Sequence, residues 1–221
     1  VKVLADGSVS GKTAWVKPPY LEEEGNYGLK TTTKEELLEA TQYAKENNLQ
    51  LVVHAMGEQA IDLVVNTFYK KEDWLKERPS VRVEHAAMPT KETLEKAVKG
   101  NIAFVSQPIF LYAEIESYLN NLGQERTKEN YPYKTILDYG IELAFSSDAP
   151  ATAWTDPVDP FTALKSAVTR KAYDGTDTGQ KEKINLATAI NLYTKEGANV
   201  TGIRDIGQLK EGFKADFIIL D

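Results

Sequence analysis

Short apolar runs alternate with amphipathic helical segments along this chain, and this alternation limits the folds open to it. Runs such as residues 49–53 and 141–145 have the length and composition of strands buried on both faces. A strand–helix repeat predicts a parallel sheet, either a barrel or a doubly wound fold. No Gly-x-Gly-x-x-Gly motif follows any of the apolar runs, which argues against a doubly wound fold of the dinucleotide-binding type. About five units are present where a complete barrel has eight, so we predict an α/β fold forming the C-terminal part of a (β/α)8 TIM barrel.

Short sequence motifs indicate where individual helices, loops and strands begin and end. Thr33 and Glu36 form a capping box at the start of a helix. Residues 109–133 are aromatic and polar, which predicts a long loop that serves as a lid or contacts substrate. A last apolar run predicts a terminal strand over 217–220. We therefore divide the chain into a partial barrel, residues 1–204, and a tail, residues 205–221.

Composition excludes several classes of function. The net charge of −7 argues against nucleic acid or an anionic membrane as a partner. No apolar stretch is long enough to span a membrane. Cysteine is absent, which excludes disulfides, a cysteine nucleophile and a thiolate metal site. A cytoplasmic location is the expectation, although other compartments are equally compatible with a chain lacking cysteine.

Three potential metal ligands end three of the predicted strands: His54, His85 and Asp148. The C-terminal ends of barrel strands meet at one mouth, so we expect these side chains to converge. Neutral imidazole and carboxylate suit zinc or a similar divalent ion. Taken singly, each histidine is more often a hydrogen-bonded structural residue, and the aspartate can simply close a turn. The occurrence of the chain's only two histidines and a Ser-Asp at equivalent positions favours a shared metal site.

An ordered set of short motifs resembles the amidohydrolase superfamily, with the YtcJ-like (amidohydrolase 3) branch nearest. The motifs are Asp6-Gly7-Ser8, residues 53–60, Glu84-His85-Ala86, residues 147–150, Tyr193-Thr194 and residues 212–220. Each is weak alone, whereas the ordered set covers essentially the whole chain. The resemblance implies a (β/α)8 metal-dependent hydrolase whose chain ends form a small β-sandwich, with the tail as one sandwich strand.

The resemblance also implies roles for individual residues. His54 and His85 match the ligands of the fifth and sixth strands, and Asp148 matches a ligand that takes a proton from the attacking water. Lys2 falls where many relatives carry a carboxylated lysine bridging two metals; an ordinary exposed lysine is an equal alternative. The family's first strand ends in His-x-His, which this chain lacks, so we expect that motif to lie before Val1.

The implied activity is hydrolysis of a non-peptide carbon–nitrogen bond in an amide, formamide or cyclic amide. One or two zinc ions would lower the pKa of water to about 7 and polarise the carbonyl. Deamination of a heterocycle by the same chemistry is the first alternative. The second is an inactive truncated scaffold that self-associates through its open barrel edges. The expected partners are thus a small amide-type substrate and further copies of the chain.

Contacts around the predicted metal site are less constrained by the sequence. Tyr20, Phe110 and Arg126 lie in segments expected to open onto the site, and we predict that they bind substrate. A solvated arginine is the competing interpretation of Arg126. Either Glu84 or Glu58 is a candidate for orienting an imidazole ring. Strand alternation favours a surface ion pair for Glu84 instead.

Overall fold

Five parallel strands form one sheet in the computed structural model, which describes residues 1–152 and 154–219. In chain order and in spatial order these are Lys2–Leu4 (β1), Leu51–Ala55 (β2), Val81–His85 (β3), Ala103–Ser106 (β4) and Leu143–Phe145 (β5). Each strand pairs with the next along the chain. A doubly wound sheet would reverse its strand order at a switch point, and this sheet does not. The sequential order is that of one side of a β/α barrel, which confirms the predicted fold class.

Helices connect the strands and follow the last one. Three single helices follow β1, β2 and β3: Lys34–Glu46 (α1), Glu58–Phe68 (α2) and Lys91–Lys99 (α3). Four short helices follow β4: Pro108–Ala113 (α4), Ile115–Leu122 (α5), Gln124–Glu129 (α6) and Tyr133–Asp138 (α7). After β5 come Pro160–Thr169 (α8), a 3-10 turn at Gln180–Glu182, Leu186–Tyr193 (α9) and Lys195–Thr201 (α10). Within the described residues, no helix combines the length and the apolar character needed to cross a membrane.

The prediction of a long loop over residues 109–133 is wrong, because α4, α5 and α6 occupy most of this segment. These helices have six to eight residues and begin without a side-chain cap, so they carry little helical signal. Their aromatic residues are buried, and the Tyr118 and Tyr131 hydroxyls are hydrogen-bonded to each other at 3.1 Å. Tertiary burial of aromatic rings therefore stabilises this segment.

The two faces of the sheet differ in chemistry. Parallel register pairs Leu4 with His54 and His54 with Glu84, and partners in register point to the same face. Lys2, two residues before Leu4, therefore shares this inner face. Val53 and the other residues of opposite parity form the apolar face that packs against the helices. The charged groups of the sheet are thus gathered on the side that would face a barrel interior.

Helix α10 covers the inner face at β4 and β5. Val200 is fully buried there against Ala103, Val105 and Ala144. The Gln50 side chain, just before β2, donates a hydrogen bond to the Val200 carbonyl at 2.9 Å. Because Gln50 precedes its strand, this contact lies at the N-terminal end of the sheet, which leaves the C-terminal ends free for a site.

The predicted terminal strand is not observed. Residues 217–219 form no strand and are exposed, and Leu220 and Asp221 lie outside the described residues. The sandwich strand and the boundary at residue 204 therefore stay predictions.

Replacing Thr33 by alanine tests the start of α1. The Thr33 hydroxyl accepts from the Glu36 N–H at 3.2 Å, and the Glu36 carboxylate accepts from the Thr33 N–H at 2.7 Å. Thr33→Ala removes the acceptor and should lower the free energy of unfolding by about 1 kcal/mol, measured by urea denaturation. The exposed neighbour substitution Lys34→Ala is the control. Equal stabilities for the two variants would contradict the assigned cap.

Candidate metal centre

His54 and His85 converge at the C-terminal ends of neighbouring strands. Their ring centroids are 4.3 Å apart in an edge-on arrangement. Asp148, in the loop after β5, places Oδ2 at 4.0 Å from His85 Nε2. The structure thus brings together three of the residues predicted to bind metal.

The backbone departs from ordinary strand geometry where these side chains meet. His85 has φ of 72° and Asp148 has φ of 51°, both in the left-handed region that most residue types avoid. Strict alternation would put His85 on the face of Val83, away from His54. The turn at His85 ends the alternation and accounts for the contact of its ring with His54. Strained backbone of this kind concentrates at functional sites.

Asp6 is buried next to His54 and binds the backbone of the loops around it. Its carboxylate accepts hydrogen bonds from the backbone N–H groups of Trp15 at 2.9 Å, Met56 at 3.0 Å and Gly57 at 2.8 Å. Its Oδ1 also lies 3.4 Å from His54 Nε2. The contact of Asp6 with His54 was not predicted from the sequence, although the Asp-Gly-Ser motif after β1 was the available signal.

A backbone carbonyl selects the tautomer of His54. The Nε2 atom lies 2.9 Å from the Gly7 oxygen, which can only accept, so Nε2 carries the proton and Nδ1 keeps a free lone pair. Burial alone would lower the pKa of His54. The hydrogen bonds to Asp6 and Gly7 and the charge of Asp6 outweigh burial and raise that pKa above its usual value.

His85 is held neutral. Burial and the neighbouring His54 lower the pKa of His85 to about 3, against an opposing contribution from Gln107. Its Nδ1 atom is buried with no hydrogen-bond partner among the described residues, while Nε2 faces Asp148. The Phe110 ring stacks on the imidazole with centroids 5.6 Å apart. A neutral, desolvated imidazole of this kind is a competent metal ligand.

The donor atoms of His54, His85 and Asp148 are of the chemical types that bind a divalent metal. His54 Nδ1, His85 Nε2 and the Asp148 carboxylate are the nitrogen and oxygen donors that zinc takes. Within residues 1–152 and 154–219, no three His, Asp or Glu side chains are close enough together to hold an ion as they stand. The three residues thus offer donors of the right kind without forming a complete metal site among the described residues.

Lys2 lies on the inner face beside this group. Its positive charge lowers the pKa of both His54 and His85, which indicates proximity to the two rings. The side chain is exposed. Its predicted role as a metal ligand stays a prediction.

A cavity of about 160 Å³ opens at the converging strand ends. His54, His85, Asp148 and Phe110 line it together with Glu114. The remaining lining residues are small, apolar or hydroxyl-bearing. Of the three residues predicted to contact substrate, Phe110 is thus placed in the cavity wall.

Tyr20 and Arg126 are placed elsewhere. Tyr20 is buried, and its hydroxyl donates to the Ala14 carbonyl at 3.0 Å. Arg126 donates to the Pro19 carbonyl at 3.1 Å and lies 3.8 Å from Glu58. Neither lines the cavity, because both serve to pack and anchor the loop after β1. Their predicted substrate contacts gain no support from this arrangement.

The two glutamates considered as ring-orienting residues also have other partners. Glu58 accepts from the Lys17 N–H at 3.1 Å. Glu84 accepts from Arg82 Nε at 2.6 Å, so the expected ion pair is present, but it is buried on the inner face instead of lying at the surface. Burial raises the pKa of Glu84, and Arg82 opposes the shift. The orienting contacts to His54 come from Asp6 and Gly7.

Proton NMR titration of the metal-free chain can test the environment of His54. Asp6→Asn should lower the pKa of His54 because it removes a hydrogen bond to a charged acceptor and a nearby negative charge. Lys2→Met should raise it because it removes a nearby positive charge. The chain has two histidines, and the low pKa of His85 separates their signals. A His54 pKa that rises in Asp6→Asn, or falls in Lys2→Met, would contradict the described electrostatics.

Comparison with known proteins assigns the family. The sequence profile of the amidohydrolase family matches residues 1–221. YtcJ of Bacillus subtilis (strain 168) is 32% identical over 224 residues, which cover 100% of this chain and 41% of that protein. An N-substituted formamide deformylase of Arthrobacter pascens is 24% identical over 192 residues, 86% of this chain and 34% of the enzyme.

A solved structure shares the fold at similar identity. An uncharacterized metal-dependent hydrolase from Pyrococcus furiosus superposes with a TM-score of 0.84 at 31% identity, over 100% of this chain and 44% of that chain. This chain spans less than half the length of each of these proteins. The resemblance predicted from the motifs is confirmed: the chain belongs to the amidohydrolase family.

Proposed function

We propose that the protein is a metal-dependent hydrolase of a non-peptide carbon–nitrogen bond in an amide, formamide or cyclic amide. The observation that carries the proposal is the convergence of His54, His85 and Asp148 on one cavity at the C-terminal ends of the strands. Family membership supports it, as does the name of the Arthrobacter pascens relative, an N-substituted formamide deformylase.

Four residues would hold the ion. His54 offers Nδ1, His85 offers Nε2, Asp148 offers a carboxylate, and Lys2 is the fourth candidate. When bound, a divalent ion such as zinc supplies activation of water and polarisation of the scissile carbonyl. Asp6 and Gly7 keep the His54 ring in the orientation and tautomer that leave Nδ1 free.

Asp148 carries the proton transfers in this proposal. Its carboxylate is one-third exposed at the cavity, so it can reach both water and substrate. It accepts the proton released when water attacks the carbonyl carbon and returns it to the leaving nitrogen as the carbon–nitrogen bond breaks. His85 stays neutral, and Phe110 excludes water from one side of the ring. Attack of the same water on a heterocyclic carbon would make the protein a deaminase, which is the alternative enzymatic activity.

Asp148→Asn in the zinc-loaded full-length protein tests the proton-transfer role. Turnover of a formamide or amide substrate should fall on the order of 100-fold or more, because the amide side chain cannot accept the proton. Asp138→Asn, the same change at an exposed residue paired with Lys134, is the matched control and should keep full activity. Chelation should abolish wild-type turnover, and added Zn²⁺ should restore it. Unchanged turnover in Asp148→Asn would remove the residue from this role.

Self-association of the isolated chain is the second proposal, and the open sheet supports it. Strands β1 and β5 form the two edges, and within the described residues neither pairs with a further strand on its outer side, although the Leu4 carbonyl on β1 accepts from the Thr31 hydroxyl at 2.7 Å. We expect dimers or larger oligomers of the 221-residue chain in light scattering across a concentration series. A clean monomer at every concentration would contradict this. An inactive scaffold would bind no stoichiometric metal in the full-length protein, whereas the enzyme should carry one or two ions.

A further inference from the structure

The cavity at the metal centre contains a second carboxylate that the proposed chemistry does not use. Glu114 lines it together with Asp148 and the two imidazoles. Asp148 is assigned to proton transfer, which leaves Glu114 without a role. Its position and surroundings indicate what it can bind.

Helical geometry sets Glu114 beside Phe110. Glu114 directly follows the last residue of α4, and its N–H donates to the Phe110 carbonyl at 2.9 Å. Residues four apart on a helical turn lie on the same side, and both side chains line the cavity. The wall therefore presents an aromatic ring next to the imidazoles and a carboxylate one turn further along.

Nothing in the cavity wall neutralises this carboxylate. The described lining residues include no lysine or arginine. Its polar neighbours are the hydroxyls of Thr152 and Ser10. Burial raises the pKa of Glu114, and these two hydroxyls oppose the shift. A partly desolvated carboxylate that no lysine or arginine pairs is a favourable position for a positively charged group of a ligand.

Other buried carboxylates of this region have partners within the chain. Asp6 accepts three backbone N–H groups, and Glu84 is paired with Arg82. Glu58 accepts from a backbone N–H and lies near Arg126. Glu114 differs from these three because it faces the cavity and is left to interact with a ligand.

We propose that Glu114 is a specificity-determining residue that binds a positively charged ammonium group of the substrate. The ammonium would be joined to the scissile amide by a short hydrocarbon segment lying against Phe110. The cavity of about 160 Å³ holds the volume of about five water molecules, which suits a short segment. This inference rests on the proposed amide hydrolysis and names its substrate class: small amides or formamides of diamines.

Paired substrates in the zinc-loaded full-length protein test the inference. The mono-N-formyl derivative of 1,3-diaminopropane carries the ammonium, and N-formylbutylamine replaces that group by a methyl of similar size. The wild type should favour the cationic substrate by about 10- to 100-fold in kcat/KM, the range of a charge-assisted hydrogen bond. Glu114→Gln should lose most of this ratio. Glu114→Lys should reverse it in favour of the anionic substrate N-formyl-β-alanine.

A matched variant and a binding measurement make the result decisive. Glu129→Gln makes the same change at an exposed glutamate on α6 and should keep the wild-type ratio. Zinc content and circular dichroism establish that each variant is folded. Calorimetry measures binding of the same cationic compound independently of turnover, and Glu114→Gln should weaken this binding by a similar factor.

The outcomes separate the two proposals. Hydrolysis of both substrates with a ratio near one, or a ratio unchanged in Glu114→Gln, overturns the role of Glu114 and leaves the hydrolase proposal standing. Binding that depends on Glu114 without any turnover supports the ammonium site and overturns the amide hydrolysis.

Discussion

The arrangement at the C-terminal ends of the strands depends on one buried carboxylate. Asp6 accepts backbone N–H groups from the loop that follows β1 and from the loop that follows β2, and it also lies against the His54 ring. Charge-assisted hydrogen bonds of this kind are among the stronger ones in proteins. A single side chain thereby fixes the spacing of two strand ends and the orientation of a candidate ligand.

The chemistry of the sheet differs between its two faces. Val53 and the other residues of its parity lie on the outer face against the helices, whereas Ala103, Val105 and Ala144 lie on the inner face beneath α10. The inner face can therefore carry Lys2, His54, Arg82 and Glu84 without disrupting the main core. Arg82 and Glu84 neutralise one another, which leaves the lysine and the imidazole available at the site.

The sequence predicts the sheet and much of the candidate site, for identifiable reasons. Periodicity marks the strands and long helices, and strand ends of parallel sheets meet, so the approach of His54, His85 and Asp148 was predictable. The helices over residues 109–133 were not, because they are short, uncapped and held by burial of aromatic side chains. The role of Asp6 was missed because the Asp-Gly-Ser motif marks its position and not the backbone groups and the imidazole that it contacts in the folded chain. Glu114 was missed because only the folded chain shows that it faces a cavity beside Phe110.

Helix α10 has a consequence for how such a chain can change over evolution. The hydrogen bond between Gln50 and the Val200 carbonyl of this helix lies at the N-terminal end of the sheet, away from the candidate metal centre. This contact is thus separate from the loops that would bind a substrate under the proposed function. Insertions and exchanges in the loops beyond the strands can alter selectivity while the base of the barrel keeps its integrity.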